Sequence, residues 1–153
     1  MTQTAFDVIA RLAGKTLSTA ASITAGGIGA ALTAVPGASA VYKGGIISYC
    51  DEAKHHLLGV PAELLNTHGA VSAPVAEAMA QGARKALRTD IAISVTGLAG
   101  PGGDDFGHPV GTVFIGYADG NTAFAREYHF SGDRDFVRSQ TIEAALRLIL
   151  ENV

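Results

Sequence analysis

Two residues of this chain, Ser22 and Lys54, are of the types that carry out nucleophilic catalysis without a histidine or a metal ion. Ser22 stands where a predicted strand of small residues, 16–21, gives way to the glycine-rich turn 22–27. A nucleophile at that place would lie outside the sheet, with the N–H groups of the next helix nearby as oxyanion donors. Lys54 would act as the general base if it pointed back at Ser22, because desolvation lowers the pKa of a lysine.

A third candidate, Tyr49, lies at the end of the second predicted strand, where it could hold a proton relay or a substrate group. Each of these residues also has an ordinary structural explanation. Serine is a preferred helix cap, and Lys54 follows Asp51 and Glu52, which are local charge partners for a solvated lysine. Taken singly, each residue favours that explanation, whereas their combination with two glycine-rich loops favours a site.

The second glycine-rich loop, residues 96–103, reads Thr-Gly-Leu-Ala-Gly-Pro-Gly-Gly and directly follows the apolar run 90–95. Glycine tolerates positive φ and leaves backbone N–H groups free to face a ligand, and such a loop at a strand end of an α/β protein usually lies in the ligand crevice. It has neither the Gly-Lys-Ser/Thr of a P-loop nor the spacing of a dinucleotide fingerprint. Its free N–H groups and the Thr96 hydroxyl predict an anionic ligand. The alternative is a plain connection to the next strand.

Two arginines, Arg134 and Arg138, are predicted to share one face near the start of the last helix, because they are one helical turn apart. They could clamp a phosphate or meet a partner subunit. A pair of surface charges explains the same spacing equally well.

The five histidines show no spacing typical of a metal site, so none is predicted. His55 and His56 are adjacent and would point in different directions on a helix. Asp104, Asp105 and His108 favour a solvated loop over a weak cation site.

Composition limits the class of protein. The 153 residues are 48% apolar and 16% charged, as expected for one ordinary domain and not for a disordered chain. A net charge of −3 without a basic stripe argues against direct nucleic-acid binding. Cys50 is the single cysteine, so no internal disulfide is possible and a reducing compartment fits. Without a signal sequence or a long apolar run, we expect a cytoplasmic protein that does not bind membranes.

The elements that must position the candidate residues alternate between helices and strands. Periodicity, caps and turn residues predict six helical segments: from a Thr4 cap, with Asp7 three residues on as in a capping box, to Gly14; at 28–34; from an Asp51 cap through Leu58; as a helical turn at 61–66; from a Ser72 cap to about Leu87; and from an Asp133 cap. Strands are predicted at 16–21, 41–49, 91–95, 110–118 and 122–130. Gly44 and Gly45 predict a bulge or a close approach in the second strand. Early strands joined through helices and a late hairpin predict an α/β fold, a three-layer α/β/α sandwich with a mixed sheet, as one domain over 1–153.

Ordered along the chain, these motifs resemble the CinA C-terminal domain family, which includes stand-alone PncC-type nicotinamide-mononucleotide deamidases. The similarity covers nearly the whole chain. It is carried by Ala20–Gly26, Gly37–Ser39, Tyr49, Lys54, Leu58–Val60, His68–Ser72, 96–103, Pro109–Gly111 and Gly132–Arg138.

The resemblance implies an α/β/α fold, homo-oligomers (a homodimer or larger) and hydrolysis of nicotinamide mononucleotide to nicotinate mononucleotide and ammonia, with no cofactor. It implies that Ser22 is the nucleophile, Lys54 the base and Tyr49 an assisting residue. The ligand would be a small pyridine mononucleotide. The residues expected to bind it are Thr24, Gly26, Thr96, Gly97, Ala99, Gly100, Gly102, Gly103, Arg134 and Arg138.

Three positions depart from the family pattern: Ala21 replaces the usual Glu, Ile23 replaces Cys, and His108 replaces a frequent Lys. Loss of a carboxylate beside the nucleophile could remove a substrate contact or a partner that tunes Lys54. A catalytically weak nucleotide-binding module is therefore the alternative to an amidase. A DNA-repair or competence adaptor, suggested only by the family's naming history, is disfavoured by the net charge of −3.

Overall fold

The structure, a computed structural model, describes residues 1–153 and contains one five-stranded sheet with helices on both faces. The helices are α1 (Gln3–Arg11), α2 (Gly27–Thr33), α3 (Asp51–Leu58), α4 (Ala62–His68), α5 (Ala73–Leu87) and α6 (Arg134–Asn152), with a 3₁₀ turn at Ala38–Ala40. The strands are β1 (Leu17–Ala21), β2 (Tyr42–Ile47), β3 (Ile91–Gly97), β4 (Thr112–Ala118) and β5 (Ala123–His129).

The sheet is mixed, as predicted, and its strand order is β2-β1-β3-β4-β5. β1 pairs in parallel with both β2 and β3, whereas β4 pairs antiparallel with β3 and β5. The parallel strands are connected through helices, and the late hairpin closes around Asp119, whose carboxylate accepts the N–H groups of Asn121 and Thr122. β1, β3 and β4 are central strands and are almost entirely buried, which explains their continuous apolar or small-residue sequences.

The helices form two layers. One large apolar cluster joins α1, α2 and α6 to one face of the sheet, and a smaller cluster joins α3, α4 and α5 to the other face. This arrangement confirms the three-layer α/β/α prediction. No helix combines the length and apolar character that crossing a bilayer requires.

A bulge in β2 confirms the prediction made from Gly44 and Gly45. The pairing with β1 shifts by one residue after Leu17, and Gly44 has a φ of +145°. A Cβ atom at Gly45 would overlap the Thr19 hydroxyl oxygen and lie 2.7 Å from the Tyr42 hydroxyl oxygen. These two hydroxyls bond each other at 2.8 Å, so β1 and β2 can pair here only because residue 45 lacks a side chain.

Several element boundaries differ from the predictions. Thr2, and not Thr4, caps α1 by accepting the Ala5 N–H at 3.2 Å, because the Thr4 hydroxyl donates to Glu143 on α6 instead. Helix α1 also stops at Arg11, before Gly14. Tertiary contacts thus override the capping-box spacing that the sequence shows.

Two further caps also differ in detail. Ser72 occupies the N-cap position of α5. Its hydroxyl donates to the Gly69 carbonyl oxygen, however, and accepts no N–H group of the helix. Asp51 lies inside the first turn of α3, with Cys50 at the N-cap position. The predicted helical turn at 61–66 is a seven-residue helix, α4, and Asp133 caps α6 as predicted by accepting the Phe136 N–H.

The packing of α5 against α3 generates a stability prediction at Gly82. A Cβ atom at this position would overlap the carbonyl oxygen of Leu58. Helix propensity alone would make Gly82→Ala stabilising by about 1 kcal/mol. Because the crowding would cost about 1–3 kcal/mol, the crowding outweighs the propensity gain, and we expect the free energy of unfolding, measured in urea, to fall by up to about 2 kcal/mol.

A matched variant in the same helix measures propensity without crowding. Ala86 is exposed on α5, and Ala86→Gly should cost about 1 kcal/mol. A Gly82→Ala protein that is more stable than the wild type would contradict the close α3–α5 contact.

Candidate functional site

The side chains of Ser22 and Lys54 meet at the carboxyl edge of the parallel strands. Ser22 directly follows β1, and its N–H donates to the Val95 carbonyl oxygen of β3 at 3.1 Å. Lys54 lies in α3, and its Nζ is 3.1 Å from the Ser22 Oγ and 2.8 Å from the Ser48 carbonyl oxygen. The two residues that the sequence singled out for chemistry therefore form a hydrogen-bonded pair.

Lys54 is almost completely buried, with 2% of its surface exposed. This burial lowers the pKa of its amine below 10.5, while the nearby Asp51 and Cys50 act in the opposite direction. A lowered pKa increases the fraction of neutral amine near neutral pH. The neutral Lys54 amine can donate one N–H to the Ser48 carbonyl oxygen. The lone pair of the amine nitrogen then remains available to the Ser22 hydroxyl. The geometry and the pKa direction both suit a general base.

The turn that follows Ser22 carries backbone donors with no acceptor in the protein. The N–H groups of Ala25 and Gly27 are used within the turn, donating to the carbonyl oxygens of Ser22 and Thr24. Those of Ile23 and Thr24 donate to no protein group. Both residues are buried, so these unused donors suit an oxyanion that develops next to the Ser22 Oγ.

Arg138 holds this turn from α6. Its Nε donates to the Ile23 carbonyl oxygen at 3.1 Å, and its Nη2 donates to the Thr24 carbonyl oxygen at 3.2 Å. With both carbonyl oxygens fixed by one guanidinium, the peptide planes of the turn have little freedom to rotate. Arg138 therefore supports the turn that carries Ser22 from behind, and it does not line the cavity.

A half-open cavity of about 270 Å³ lies in front of the pair, close to the lower limit for small-molecule sites. The turn after β1, the start of α3, the loop after β3 and the start of α6 all contribute to its wall. The lining residues include Ser22, Ile23, Tyr49, Asp51, Lys54, Val71, Thr96, Gly97, Ala99, Gly100, Gly102 and Arg134.

Arg134 bridges two sides of this cavity. Its Nη1 donates to the Gly100 carbonyl oxygen at 2.6 Å, and its Nη2 donates to the Tyr49 hydroxyl oxygen at 3.0 Å. Tyr49 is 60% exposed and bonds neither Ser22 nor Lys54. The structure thus brings Tyr49 to the cavity, but at its rim and on an arginine instead of in contact with the Ser–Lys pair.

The predicted ligand-binding residues fall into two groups. Thr96, Gly97, Ala99, Gly100, Gly102 and Arg134 line the cavity, whereas Thr24, Gly26, Gly103 and Arg138 do not. The Thr96 hydroxyl donates to the Ala70 carbonyl oxygen at 2.9 Å, so its hydrogen is already used within the protein. Thr24 is 2% exposed, and its hydroxyl oxygen has no hydrogen-bond partner in the protein.

Ala21 does not face the Ser–Lys pair. Its side chain lines a separate cavity of about 230 Å³ on the α2 side of the sheet, together with Thr19 and Gly26. Alternation along β1 explains this, because residues 19 and 21 point to one face and Ser22 follows on the other. A glutamate at position 21 would enter that second cavity. Alanine at this position therefore removes neither a contact in the cavity beside Ser22 nor a charge partner of Lys54.

The acidic side chain of Asp104 is hydrogen-bonded to other residues of its own loop, 104–108. The Asp104 carboxylate accepts the backbone N–H groups of Phe106 and His108 and also pairs with the His108 ring at 2.7 Å. Burial acts to raise the pKa of Asp104, but these hydrogen bonds together outweigh it and lower the pKa overall. Asp104 therefore bonds within its own loop and is largely shielded from solvent, whereas the sequence favoured a solvated loop here.

Sequence reasoning missed two contributors to the site. Ser48 supplies a backbone carbonyl oxygen, a function that any residue type can perform and that leaves no signal in the sequence. Asp51 was interpreted as a helix cap and a charge partner, yet it lines the cavity. Its position three residues before Lys54 on one helix was the available signal.

Comparison with known proteins shows which sequences and folds this chain resembles. The family model of the CinA C-terminal domain matches residues 2–153. A CinA-like protein of Parasynechococcus marenigrum is 53% identical over 87% of this chain and 32% of its own length. A CinA-like protein of Citrifermentans bemidjiense is 49% identical over 91% of this chain and 34% of its own length. The chain thus spans about a third of the length of these relatives.

Two solved structures agree with the same fold. A competence-damaged protein (CinA) superfamily protein from Escherichia coli superposes with a TM-score of 0.96 at 32% identity, covering 98% of this chain and 88% of that chain. A competence/damage inducible protein from Agrobacterium tumefaciens gives 0.94 at 37% identity, covering 97% and 93%.

The different contacts of Arg138 and Arg134 predict different effects on stability. Arg138→Ala removes two charge-assisted hydrogen bonds to the turn after β1 and should lower the free energy of unfolding by about 1–3 kcal/mol. Arg134→Ala, one helical turn away, removes exposed contacts and should change it by less than about 0.5 kcal/mol. Urea unfolding of both variants measures this difference, and equal losses would contradict the anchoring role of Arg138.

Proposed function

This chain belongs to the CinA C-terminal domain family, and on that premise we propose that it is an amidohydrolase that converts nicotinamide mononucleotide and water to nicotinate mononucleotide and ammonia. The observation that carries the proposal is the 3.1 Å contact between the Lys54 Nζ and the Ser22 Oγ. Because the lysine is buried, its pKa is lowered towards the range in which an amine accepts a proton.

The first half of the reaction acylates Ser22. The neutral Lys54 amine takes the Oγ proton while the Oγ attacks the carboxamide carbon, and the carbonyl oxygen becomes an oxyanion. The N–H groups of Ile23 and Thr24 are unused donors beside the nucleophile and would stabilise that charge. The C–N bond then breaks, the Lys54 ammonium passes its proton to the leaving nitrogen, and ammonia departs.

The second half restores the enzyme. A water molecule attacks the ester carbon while Lys54 accepts one of its protons, and this proton returns to the Ser22 Oγ as the ester bond breaks. The product leaves as a carboxylate. These steps use the groups of this chain and one water molecule, and they need no cofactor.

The cavity also has groups suited to the nucleotide part of the substrate. The Arg134 guanidinium provides a fork of donors that matches a phosphate, and the loop 97–102 provides glycines that allow close approach of the backbone. We therefore assign the phosphate to the Arg134 side of the cavity and the carboxamide to the Ser22 side.

Ala21 was the reason to consider a catalytically weak binding module instead. Because Ala21 lines the other cavity, its small side chain leaves the Ser22–Lys54 pair and its surroundings intact. The geometry therefore favours a catalytic protein over a binding module. The predicted homo-oligomer belongs to the same proposal.

Substitution of the pair tests the proposal directly. Ser22→Ala removes the nucleophile and Lys54→Met removes the base, so each should lower kcat for ammonia release from nicotinamide mononucleotide by about 10³-fold or more. Calorimetry should show that both variants still bind the nucleotide, because neither residue carries the phosphate.

A second lysine serves as the control. Lys43 lies on β2, and its Nζ donates to the Ser39 carbonyl oxygen outside the cavity, so Lys43→Met should leave kcat within about twofold of the wild-type value. Ammonia release that survives Ser22→Ala would contradict the Ser–Lys mechanism. A wild-type protein that binds the nucleotide without releasing ammonia would contradict the proposed reaction.

The pH dependence of kcat/KM tests the assignment of Lys54 as the base. The active form is the neutral amine, so kcat/KM should rise with pH along a limb whose apparent pKa is below 10.5, because burial lowers the pKa of Lys54. Asp51 and Cys50 stabilise the ammonium form. Asp51→Asn should therefore move the limb to lower pH, and a limb that stays in place or moves to higher pH would contradict the assignment.

A further inference from the structure

Asp51 is the only carboxylate that lines the cavity. It lies in the first turn of α3 and is exposed, and it makes no hydrogen bond or ion pair with another side chain. Lys54, whose amine feels its charge, bonds Ser22 and the Ser48 carbonyl oxygen instead. The negative charge of Asp51 therefore borders the ligand space, and no other side chain is hydrogen-bonded to its carboxylate.

We propose that Asp51 is a specificity-determining residue that selects ligands with a positively charged aromatic ring, such as a quaternary pyridinium, over ligands with a neutral ring. This inference rests on the proposed function for the identity of the ligand and deepens it by naming the group that distinguishes ring charge. The charges of the cavity support it, because Arg134 on α6 has no carboxylate partner and Asp51 on α3 has no cationic hydrogen-bond partner, so each can pair with a charged group of a ligand. A pyridinium mononucleotide carries the complementary pair, a phosphate and a cationic ring.

Tyr49 provides a second observation that points to a cationic ring. Its side chain is 60% exposed at the cavity rim, two residues before Asp51, and its hydroxyl is held by Arg134. An exposed, fixed aromatic ring attracts a cation through its π face. A carboxylate and an aromatic ring beside one another form a surface that favours a cationic heterocycle over a neutral one.

The ordinary explanation of Asp51 is stabilisation of the α3 N-terminus by a negative charge. Glu52 shares that explanation, because both residues lie in the same first turn and both are exposed. Only Asp51 lines the cavity. Glu52 therefore separates the effect of charge on the helix from the effect of charge on the ligand.

A binding experiment without turnover tests the inference independently of the chemistry. In the Ser22→Ala background, calorimetry compares nicotinamide mononucleotide with its dihydropyridine form, which has the same phosphate, ribose and carboxamide but a neutral ring. We expect about 10-fold tighter binding of the pyridinium form, as for a carboxylate near a cation in a partly exposed site. Asp51→Asn should reduce this ratio to about 2 or less, and Glu52→Gln should leave it unchanged.

Each outcome decides the inference. An unchanged ratio in Asp51→Asn would overturn it, and so would equal weakening of both compounds, since that would indicate a structural effect. A ratio that falls only in Asp51→Asn would support it, even if the wild-type protein released no ammonia and the proposed reaction were wrong. Failure of both compounds to bind the Ser22→Ala protein would overturn the inference and the assigned ligand together.

Discussion

The site depends on the cost of placing a lysine amine out of water. A buried ammonium is unstable unless its protons find acceptors, and Lys54 finds two, the Ser48 carbonyl oxygen and the Ser22 Oγ. Both acceptors lie just past the ends of adjacent parallel strands. Helix α3 begins close to the end of β2, so the Lys54 side chain can extend back over the edge of the sheet. The parallel pairing of β1 with β2 thus brings Ser22 and Lys54 together, and the same burial lowers the pKa of the Lys54 amine.

Close packing makes this arrangement possible. Gly45 allows β2 to approach β1 at the bulge, and Gly82 allows the end of α3 to rest on α5. Each contact fixes an element on which the Ser22–Lys54 pair depends, because β2 leads to Ser48, whose carbonyl oxygen holds the amine, and α3 carries Lys54. Arg138 performs the equivalent task for the turn after β1 by holding two of its carbonyl oxygens. The precision of the site therefore comes from residues that touch no substrate.

Much of the fold could be predicted from the sequence because its signals are local. Apolar runs and glycine turns marked the central strands, and the ends of parallel strands meet at one edge, so proximity of Ser22 and Lys54 followed from topology. What could not be predicted depends on direction in three dimensions. Arg134 and Arg138 have the spacing of one helix face, yet one reaches the cavity and the other the back of a turn. Ser48 acts through its backbone, which no sequence pattern records.

The bridge from Arg134 to Gly100 and Tyr49 already uses two of the five N–H donors of the guanidinium that we propose as the phosphate-binding group. An incoming ligand competes with a carbonyl oxygen and a phenol for the same guanidinium, so only a group that accepts more strongly than both can displace them. A doubly charged oxyanion meets that condition, whereas an uncharged sugar or a free base does not. Under the proposed function, these two contacts would make the cavity rim selective, because a weak acceptor gains too little from Arg134 to compete with groups that the guanidinium already holds.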